Sequence, residues 1–315
     1  MSLICYHKSM PNLKHIKVRI KSIKSTQKIT QAMKLVAASK VRKAQARVLN
    51  SRPYTQKVSD FTIRTVGGIS PPERQEIPLM HQREVKSVGI IVITSDRGLC
   101  GSYNTNIIKK VLKRIIDLKQ SNIEPRLITV GNKASGFFKR TKTEILDSFT
   151  QLPAIPSVEL ANLIAASAEK AFISKTVDRV EIIGTDFISM LRNEVYTKQF
   201  LPIQKDDETA RRRDGETANQ NFAPPHRPIA GSVLFEPSLA SVLEYLLPLY
   251  LSNVIFHALL EASTSELASR MNAMSSATKN AKELIDRLTI VYNKARQAAI
   301  TQELTEIVGG VEALK

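Results

Sequence analysis

Towards the C-terminus, mostly apolar residues recur in steps of four and three. They form one series: Leu267, Met271, Met274, Thr278, Ala281, Ile285, Leu288, Tyr292, Ala295 and Ala299. A heptad repeat of this kind predicts an α-helix that winds in a left-handed sense around a second helix. The alanines at its end indicate that the second helix approaches closely there.

A second long helix is predicted near the N-terminus, where the pattern is less regular. Its apolar positions are Ile16, Ile20, Ile23, Met33, Ala37, Val41, Ala44 and Val48. No proline or glycine occurs between Pro11 and Pro53, or between Pro248 and Gly309. At 1.5 Å per residue these segments span about 60 Å and about 90 Å as helices, well beyond the usual length.

Each long helix needs a partner for its apolar stripe, and each is the obvious candidate for the other. The pattern alone allows parallel or antiparallel pairing. We expect antiparallel pairing, because one compact domain can then hold both helix ends together.

Strand and helix patterns alternate between the two long helices. Buried strands are predicted in "SVGIIVIT", "RLITVG", "RVEIIGTDFI" and "EVYTKQFLPI", and helices in residues 102–120, "KASGFFKR" and "SVELANLIAASAEKAFIS". This alternation predicts an α/β sandwich around a mainly parallel sheet. The predicted fold class is therefore α/β, with a long antiparallel two-helix coiled coil from the two termini and a Rossmann-like domain in the middle.

The predicted organisation has five parts. They are an N-terminal extension (1–11), an N-terminal coiled-coil helix (12–66), the Rossmann-like α/β domain (84–204), a polar mobile loop (205–232) and a C-terminal coiled-coil helix (237–312). The longest apolar stretch, "YLLPLYLSNVIFHALL", is interrupted by polar residues and is shorter than a spanning helix requires. No transmembrane segment is therefore predicted.

The positive charge is concentrated in the N-terminal part of the chain. The net charge is +17, and residues 1–59 hold fourteen Lys or Arg and no Asp or Glu. Such an arm indicates either a solvated basic face or an acidic partner, for which nucleic acid, lipid headgroups and acidic protein loops are the candidates. No aromatic residue lies between Tyr6 and Tyr54. Since stacking on bases and insertion into membranes both favour aromatic side chains, an acidic protein partner fits best.

The stretch "TSDRGLCGSYN", residues 94–104, raises the question of a nucleotide site, because glycines follow a strand and precede a helix. The spacing Gly98-Leu-Cys-Gly101 matches neither G-x-G-x-x-G nor the phosphate loop. We therefore expect a structural turn in which Ser102 or Asn104 caps the helix. Cys100 stands in no motif with a histidine, so a structural thiol is expected. The sequence predicts no cofactor, no metal site and no enzymatic activity of its own.

Three blocks of sequence resemble one known family. They are "IKSTQKITQAMKLVAASKVRKAQ", "TSDRGLCGSYN" and the C-terminal block from "EASTSELASRMNAM" to "NKARQAAITQELTEIVGG". In these blocks the chain resembles the gamma subunit of F-type ATP synthases, the central rotor shaft. The resemblance implies a shaft inside a ring of alpha and beta subunits, with the α/β domain on the epsilon (or mitochondrial delta) subunit and the c-ring. It implies that the chain couples proton flow to ATP synthesis as a non-catalytic subunit, peripheral to the membrane.

The resemblance also assigns residues that would contact the beta subunits. They are Met33, Lys40, Arg42, Lys43, Arg97, Arg270, Arg296, Gln297 and Thr301. Three of these have simpler interpretations, since Met33 also suits packing in the seam, and Arg270 and Arg296 also suit an ordinary helix pair, for instance that of Arg270 with Glu266. The basic first ten residues favour a mitochondrial inner-membrane complex on the matrix side, with the thylakoid stromal face and a bacterial plasma membrane as alternatives. The alternative function is that of a basic coiled-coil protein that binds nucleic acid.

Overall fold

The computed structural model describes residues 13–67, 69, 77–141, 143–203 and 239–312. The predicted extension (1–11) and polar loop (205–232) lie outside the described residues. The chain divides into two compact units, one of residues 39–269 and one of residues 1–38 with 270–315. We call the first the α/β unit and the second the coiled-coil unit.

Two long helices belong to both units. Helix α1 is Leu13–Gly67, with 55 residues, and helix α5 is Leu239–Glu312, with 74 residues. Each helix continues through a proline, Pro53 in α1 and Pro248 in α5. A proline inside a helix removes one backbone hydrogen bond, so tertiary packing has to sustain the helix at both points.

Between these helices the chain forms the remaining elements of the α/β unit. In chain order they are a short 3₁₀ helix (Pro78–Met80), β1 (Ser87–Ile93), α2 (Tyr103–Gln120), β2 (Glu124–Val130), α3 (Asn132–Phe138), β3 (Glu144–Phe149), α4 (Val158–Ile173), β4 (Arg179–Phe187) and β5 (Asn193–Leu201).

The five strands form one sheet in the order β3-β2-β1-β4-β5. The first four strands in this order pair in parallel, and β5 pairs antiparallel with β4 at one edge. All seven residues of the central strand β1 are buried, as expected for a strand covered on both faces. The prediction of an α/β sandwich with a mainly parallel sheet is therefore confirmed.

Strand β3 was not predicted from the sequence. Its residues, "EILDSF", mix polar and apolar side chains, and only the first is fully exposed while the others are half-buried. It is an edge strand, so its pattern carries less of the continuous apolar signal that marks the central strands.

The two faces of the sheet are covered by different helices. On one face, Ile91 and Ile93 of β1 share a core with α4, the end of α1 and the start of α5. On the other face, Val88, Ile90 and Val92 pack with α2 and α3. The alternation of side chains along β1 thus sorts the helices into two layers.

The turn from β2 into α3 depends on a glycine. Gly131 has a φ of 97°, and a Cβ there would stand 2.4 Å from the carbonyl oxygen of Thr94. A side chain cannot be accommodated at that distance, so the close approach of the chain after β1 to the turn after β2 requires glycine.

By length and composition, α5 contains one segment apolar enough to cross a membrane. The first part of α5 is also where Leu243, Leu247, Leu251, Ile255 and Leu259 are buried in the core of the α/β unit. Packing against the sheet therefore accounts for the apolar character of this segment.

Asp178 ties the beginnings of β1 and β4 together. Its Oδ2 accepts hydrogen bonds from the Lys86 and Ser87 backbone N–H groups at 3.0 and 2.9 Å and from the Ser87 hydroxyl at 3.0 Å. The Arg83 Nε lies 2.8 Å from Oδ1. Burial alone raises the pKa of the Asp178 carboxyl, but these hydrogen bonds and the Arg83 charge outweigh it and hold the pKa below its usual value.

Replacing Asp178 with Asn should destabilise the chain by about 1.5–3 kcal/mol at neutral pH, because the hydrogen bonds to a charged group are weakened. A depressed folded pKa contributes stability above the unfolded pKa of about 3.9, and this contribution is lost as the pH falls through the folded pKa. The difference between the two proteins should therefore be constant near neutrality and shrink in acid. Urea unfolding across this pH range measures it.

Glu194→Gln, which changes an exposed carboxylate on β5, is the matched control and should have little effect. A D178N protein as stable as the unchanged chain at neutral pH would contradict the assignment.

Candidate partner-contact surface

The "TSDRGLCGSYN" turn is held by its own side chains. The Asn104 Oδ1 accepts a hydrogen bond from the Ser95 N–H at 3.1 Å, and the Asn104 Nδ2 donates to the Ser95 hydroxyl at 2.8 Å. The Ser95 hydroxyl donates to the Arg97 carbonyl at 2.7 Å. Leu99 and Gly101 both adopt positive φ, at 63° and 60°. The bonds of Ser95 and Asn104 stabilise a tight loop between β1 and α2.

The capping prediction for α2 needs correction. Ser102 occupies the N-cap position, but its side chain makes no capping hydrogen bond. Asn104 turns back to Ser95 instead of capping the helix. The polar side chains of this stretch are thus used to close the turn.

Cys100 is a buried residue of this turn and packs in the core under α2. Its Sγ accepts a hydrogen bond from the Asn104 Nδ2 at 3.1 Å. Among the described residues, its hydrogen-bonding neighbours are an amide, a hydroxyl and a backbone carbonyl, none of which is a general base. The geometry is that of a structural thiol.

The first turn of α3 is bonded to Asp96, a carboxylate in the loop between β1 and α2. Asp96 accepts hydrogen bonds from the Asn132 N–H at 2.8 Å and from the Leu152 N–H at 2.5 Å. A phosphate bound at a helix start needs free backbone N–H groups, whereas the Asn132 N–H is already bonded to Asp96.

Among the described residues, no group of three or more His, Cys, Asp or Glu side chains is arranged to hold a metal ion.

Four of the predicted contact residues belong to the α/β unit, and all four are exposed: Lys40, Arg42, Lys43 and Arg97. The orientation of Lys40, Arg42 and Lys43 on α1 is set by Val41, which is buried against Phe187 and Ala268. Because Val41 faces the protein, the basic side chains on either side of it face the solvent.

The coiled-coil unit contains the predicted heptad series on α5. Each predicted position from Met271 to Ala299 is buried or half-buried, and most of the residues between them from Lys279 onwards are exposed. The seam is thus confirmed. Within the α/β unit, the pairs Arg52–Glu261 and Thr55–Asn253 show that α1 and α5 run antiparallel, as predicted.

The matching seam on α1 is more regular than the apolar residues suggest. Apart from Met33 and Ala38, the buried or half-buried positions of α1 in the coiled-coil unit follow a four-three spacing: Leu13, Ile16, Ile20, Ile23, Gln27, Thr30, Lys34 and Ala37. The sequence analysis missed the three polar members. Extending the four-three spacing from Ile16 through Val48, irrespective of polarity, would have found them.

A pair of hydroxyl groups lies in this polar part of the seam. The Thr30 and Thr278 hydroxyls are 2.8 Å apart, and each also lies within hydrogen-bonding distance of a carbonyl in its own helix. Thr30 is buried and Thr278 is half-buried. A polar pair inside an apolar seam favours one register of the two helices.

Met33 and its neighbours form a second surface on α1. Met33 itself is half-buried beside the seam position Lys34, while Ile29 and Val36 are 60% and 57% exposed. Residues 29, 33 and 36 share one face of a helix. We call Ile29, Met33 and Val36 the apolar face of α1; the sequence analysis identified only its central residue.

The remaining predicted contact residues lie on α5 in two separate places. Arg270 is half-buried, whereas Arg296, Gln297 and Thr301 are exposed. The Thr301 hydroxyl donates to the Gln297 carbonyl at 3.0 Å. At 1.5 Å per residue, Arg270 and Arg296 are about 39 Å apart along the helix, so the structure does not bring them together.

Comparison with known proteins identifies the family. The family model described as ATP synthase matches residues 12–314. The ATP synthase gamma chain of Trichormus variabilis is 45% identical over 97% of this chain and 100% of its own length. The chain belongs to the ATP synthase gamma chain family. The gamma chain of Nostoc punctiforme is 44% identical over 97% of this chain and 100% of its own length.

Solved structures agree with this assignment. The central stalk of the Tetrahymena thermophila mitochondrial ATP synthase is 27% identical, with a TM-score of 0.56, over 79% of this chain and 99% of that one. A chain of the Euglena gracilis mitochondrial ATP synthase has a TM-score of 0.63 at 18% identity, over 96% of this chain and 94% of that one, and shows the same fold. The curated relatives named above are cyanobacterial, so they lend no support to the mitochondrial prediction.

The hydroxyl pair in the seam can be tested by a double-mutant cycle. Thr30→Val or Thr278→Val alone should cost about 0.5–1.5 kcal/mol, because each removes one hydrogen bond from a buried pair. The double variant should cost less than the sum of the two, since both changes remove the same hydrogen bond between the two hydroxyls. Urea unfolding of the full chain measures all four proteins.

Thr305→Val, which changes an exposed threonine on α5, is the control for the loss of a surface hydroxyl. Strictly additive costs would show that the two hydroxyls are not coupled.

Proposed function

We propose that this chain is the central rotor shaft of a proton-translocating F-type ATP synthase. In this role it carries torque from a membrane c-ring to the catalytic beta subunits and so couples proton flow to ATP synthesis. The observation that supports it best is the antiparallel pairing of two long helices on a compact α/β unit, in a chain that matches gamma chains over 97% of its length. Two helices wound together are stiffer than one, and torque requires a stiff shaft.

The ring of alpha and beta subunits is the proposed partner of the coiled coil. Residues 1–59 carry fourteen basic and no acidic residues. Acidic loops on the beta subunits would attract this positive charge. Exposed ion pairs each contribute only about 0–1 kcal/mol. Contacts of this strength can form and break at each step of rotation without holding the shaft in one position.

Within that surface, the apolar face of α1 and the basic residues beside it are the proposed contacts to beta. Ile29 and Val36 are large apolar residues that stand exposed on a helix whose seam is already occupied. Lys40, Arg42 and Lys43 follow on the same helix. The apolar contact buries surface area between the two subunits, and the charges orient them relative to each other.

Arg97, Arg270, Arg296, Gln297 and Thr301 are proposed as further contacts to beta. The last three lie in the part of α5 where the helix becomes exposed on almost every side. An exposed single helix with polar and apolar residues around it suits a surrounding ring of subunits.

The α/β unit is proposed to join the epsilon (or mitochondrial delta) subunit and the c-ring. The chain itself supplies no catalytic group in this proposal, and nucleotide binds to other subunits. This chain would be a peripheral subunit at the membrane surface, on the stromal face of a thylakoid or the inner face of a bacterial plasma membrane. The nucleic-acid alternative has no support among the relatives.

Co-expression with matching alpha and beta subunits tests the proposal. We expect one copy of the chain per ring by native mass spectrometry, and faster ATP hydrolysis than the ring alone shows. A chain that stays soluble and separate from the ring would contradict the proposal, and salt-dependent binding to DNA or RNA would then have to be measured.

Replacing Arg296 and Gln297 together with Ala should lower ATP synthesis by the assembled complex, because contacts to the ring are lost near the end of α5. Gln302→Ala is the matched control, since Gln302 is also exposed and lies about 120° around the helix from Arg296 and about 140° from Gln297. ATP synthesis in vesicles under an imposed pH gradient measures both. Unchanged synthesis in the double variant would remove these residues from the contact surface.

A further inference from the structure

Glu261 is a buried carboxylate at the point where α5 passes both α1 and the end of β4. The residue is only 2% exposed. Its Oε1 accepts a hydrogen bond from the Arg52 Nη2 of α1 at 3.1 Å, and its Oε2 accepts one from the Phe187 N–H of β4 at 2.8 Å. The His257 Nε2 lies 3.7 Å from Oε1, one turn earlier on α5. One side chain therefore joins three elements of the α/β unit.

A carboxylate is a costly residue to bury for stability alone. Removing a charge from water costs several kcal/mol, and its pairing often only balances that cost against an apolar residue of the same size. Glu261 lies in a buried stretch of α5, since its chain neighbours Leu259, Leu260 and Ala262 are buried as well. The directional bonds of Glu261 therefore contribute a fixed geometry, which close packing of apolar side chains does not provide.

Directional bonds resist sliding, whereas apolar contacts permit it. Val41, Phe187 and Ala268 form an apolar cluster between the same elements, and such surfaces can shift past one another at low cost. The bonds of Glu261 have fixed geometry at both ends, because a backbone N–H holds one oxygen and a guanidinium holds the other.

Other hydrogen bonds along α5 extend this attachment. The Tyr103 hydroxyl donates to the Ala262 carbonyl at 3.1 Å, and the Asn193 Nδ2 donates to the Ser269 hydroxyl at 2.8 Å. Burial raises the pKa of the Tyr103 hydroxyl, so this donor stays protonated. Among these side-chain bonds, those of Glu261 reach both α1 and the sheet.

We infer that Glu261, with Arg52, is a positioning residue that locks the two long helices to the sheet, so that torque applied to the α/β unit turns the helices without slip. The inference rests on the proposed rotor function. In that function, force enters at the sheet and leaves through α1 and α5, and Glu261 bonds from α5 directly to α1 and to the sheet. Loss of the lock lets the sheet shift relative to the helices under load.

The test is the number of protons pumped per ATP hydrolysed by the assembled complex in vesicles, measured as the pH gradient rises. Glu261→Gln keeps the size of the side chain and an oxygen for the Phe187 N–H, but it removes the charge that pairs with Arg52. Arg52→Gln, on the more exposed side of the pair, removes the same interaction but leaves the buried Glu261 carboxylate without its guanidinium, so Glu261→Gln is the less demanding change for folding. The double variant completes the cycle.

We expect each single variant to hydrolyse ATP but to pump fewer protons per ATP, increasingly so as the gradient rises. The double variant should lose no more than the worse single one, because both changes break the same interaction. A purely structural defect would lower the amount of complex and reduce both rates together, leaving the ratio unchanged.

The matched control is the exposed pair Arg192–Glu194 at the start of β5, changed to Gln at both positions. Its pumping ratio should equal that of the unchanged complex. An unchanged ratio in E261Q and R52Q, or an equal loss in the control, would overturn the inference while leaving the rotor function intact. If complexes that contain the unsubstituted chain pumped no protons, both the inference and the proposed rotor function would be overturned.

Discussion

The structure depends on covering the apolar stripe of a 74-residue helix. No single α-helix of this length is stable on propensity alone, and an apolar stripe left in water would drive association with other chains. The fold solves this in two ways along α5. The first part of the stripe packs on the sheet with α4 and the end of α1, and the later part pairs with α1 in a heptad seam.

The contacts that α5 makes within the α/β unit differ in kind from the contacts proposed to other subunits. The bonds within the α/β unit that involve α5 are buried and directional, with Glu261 and Tyr103 as examples. The proposed contacts to other subunits are exposed, and they consist of single cations, polar side chains and a small apolar face on α1. Strong internal and weak external contacts are what a part needs if it must keep its own shape while it moves past its neighbours.

The sequence was most informative where one periodicity continues over many residues. The α5 seam from Met271 to Ala299 and the fully buried strand β1 were predictable because nearly every position in them is apolar and follows one pattern. Prediction failed where the pattern is followed by polar residues. Gln27, Thr30 and Lys34 occupy the α1 seam, and β3 is an edge strand with mixed residues, so an apolar pattern reveals neither. Glu261 could not have been predicted, since its partners Arg52 and Phe187 are distant in sequence and nothing local marks a buried carboxylate.

Direct observation of rotation tests the central claim most directly. With Cys5 changed to Ser and Lys110→Cys placed on the exposed side of α2, a bead can be attached to the α/β unit while the alpha–beta ring is fixed to a surface. Our account predicts that the bead turns in one direction while ATP is hydrolysed and stops when ATP is removed. Sustained hydrolysis with a bead that does not turn would contradict it.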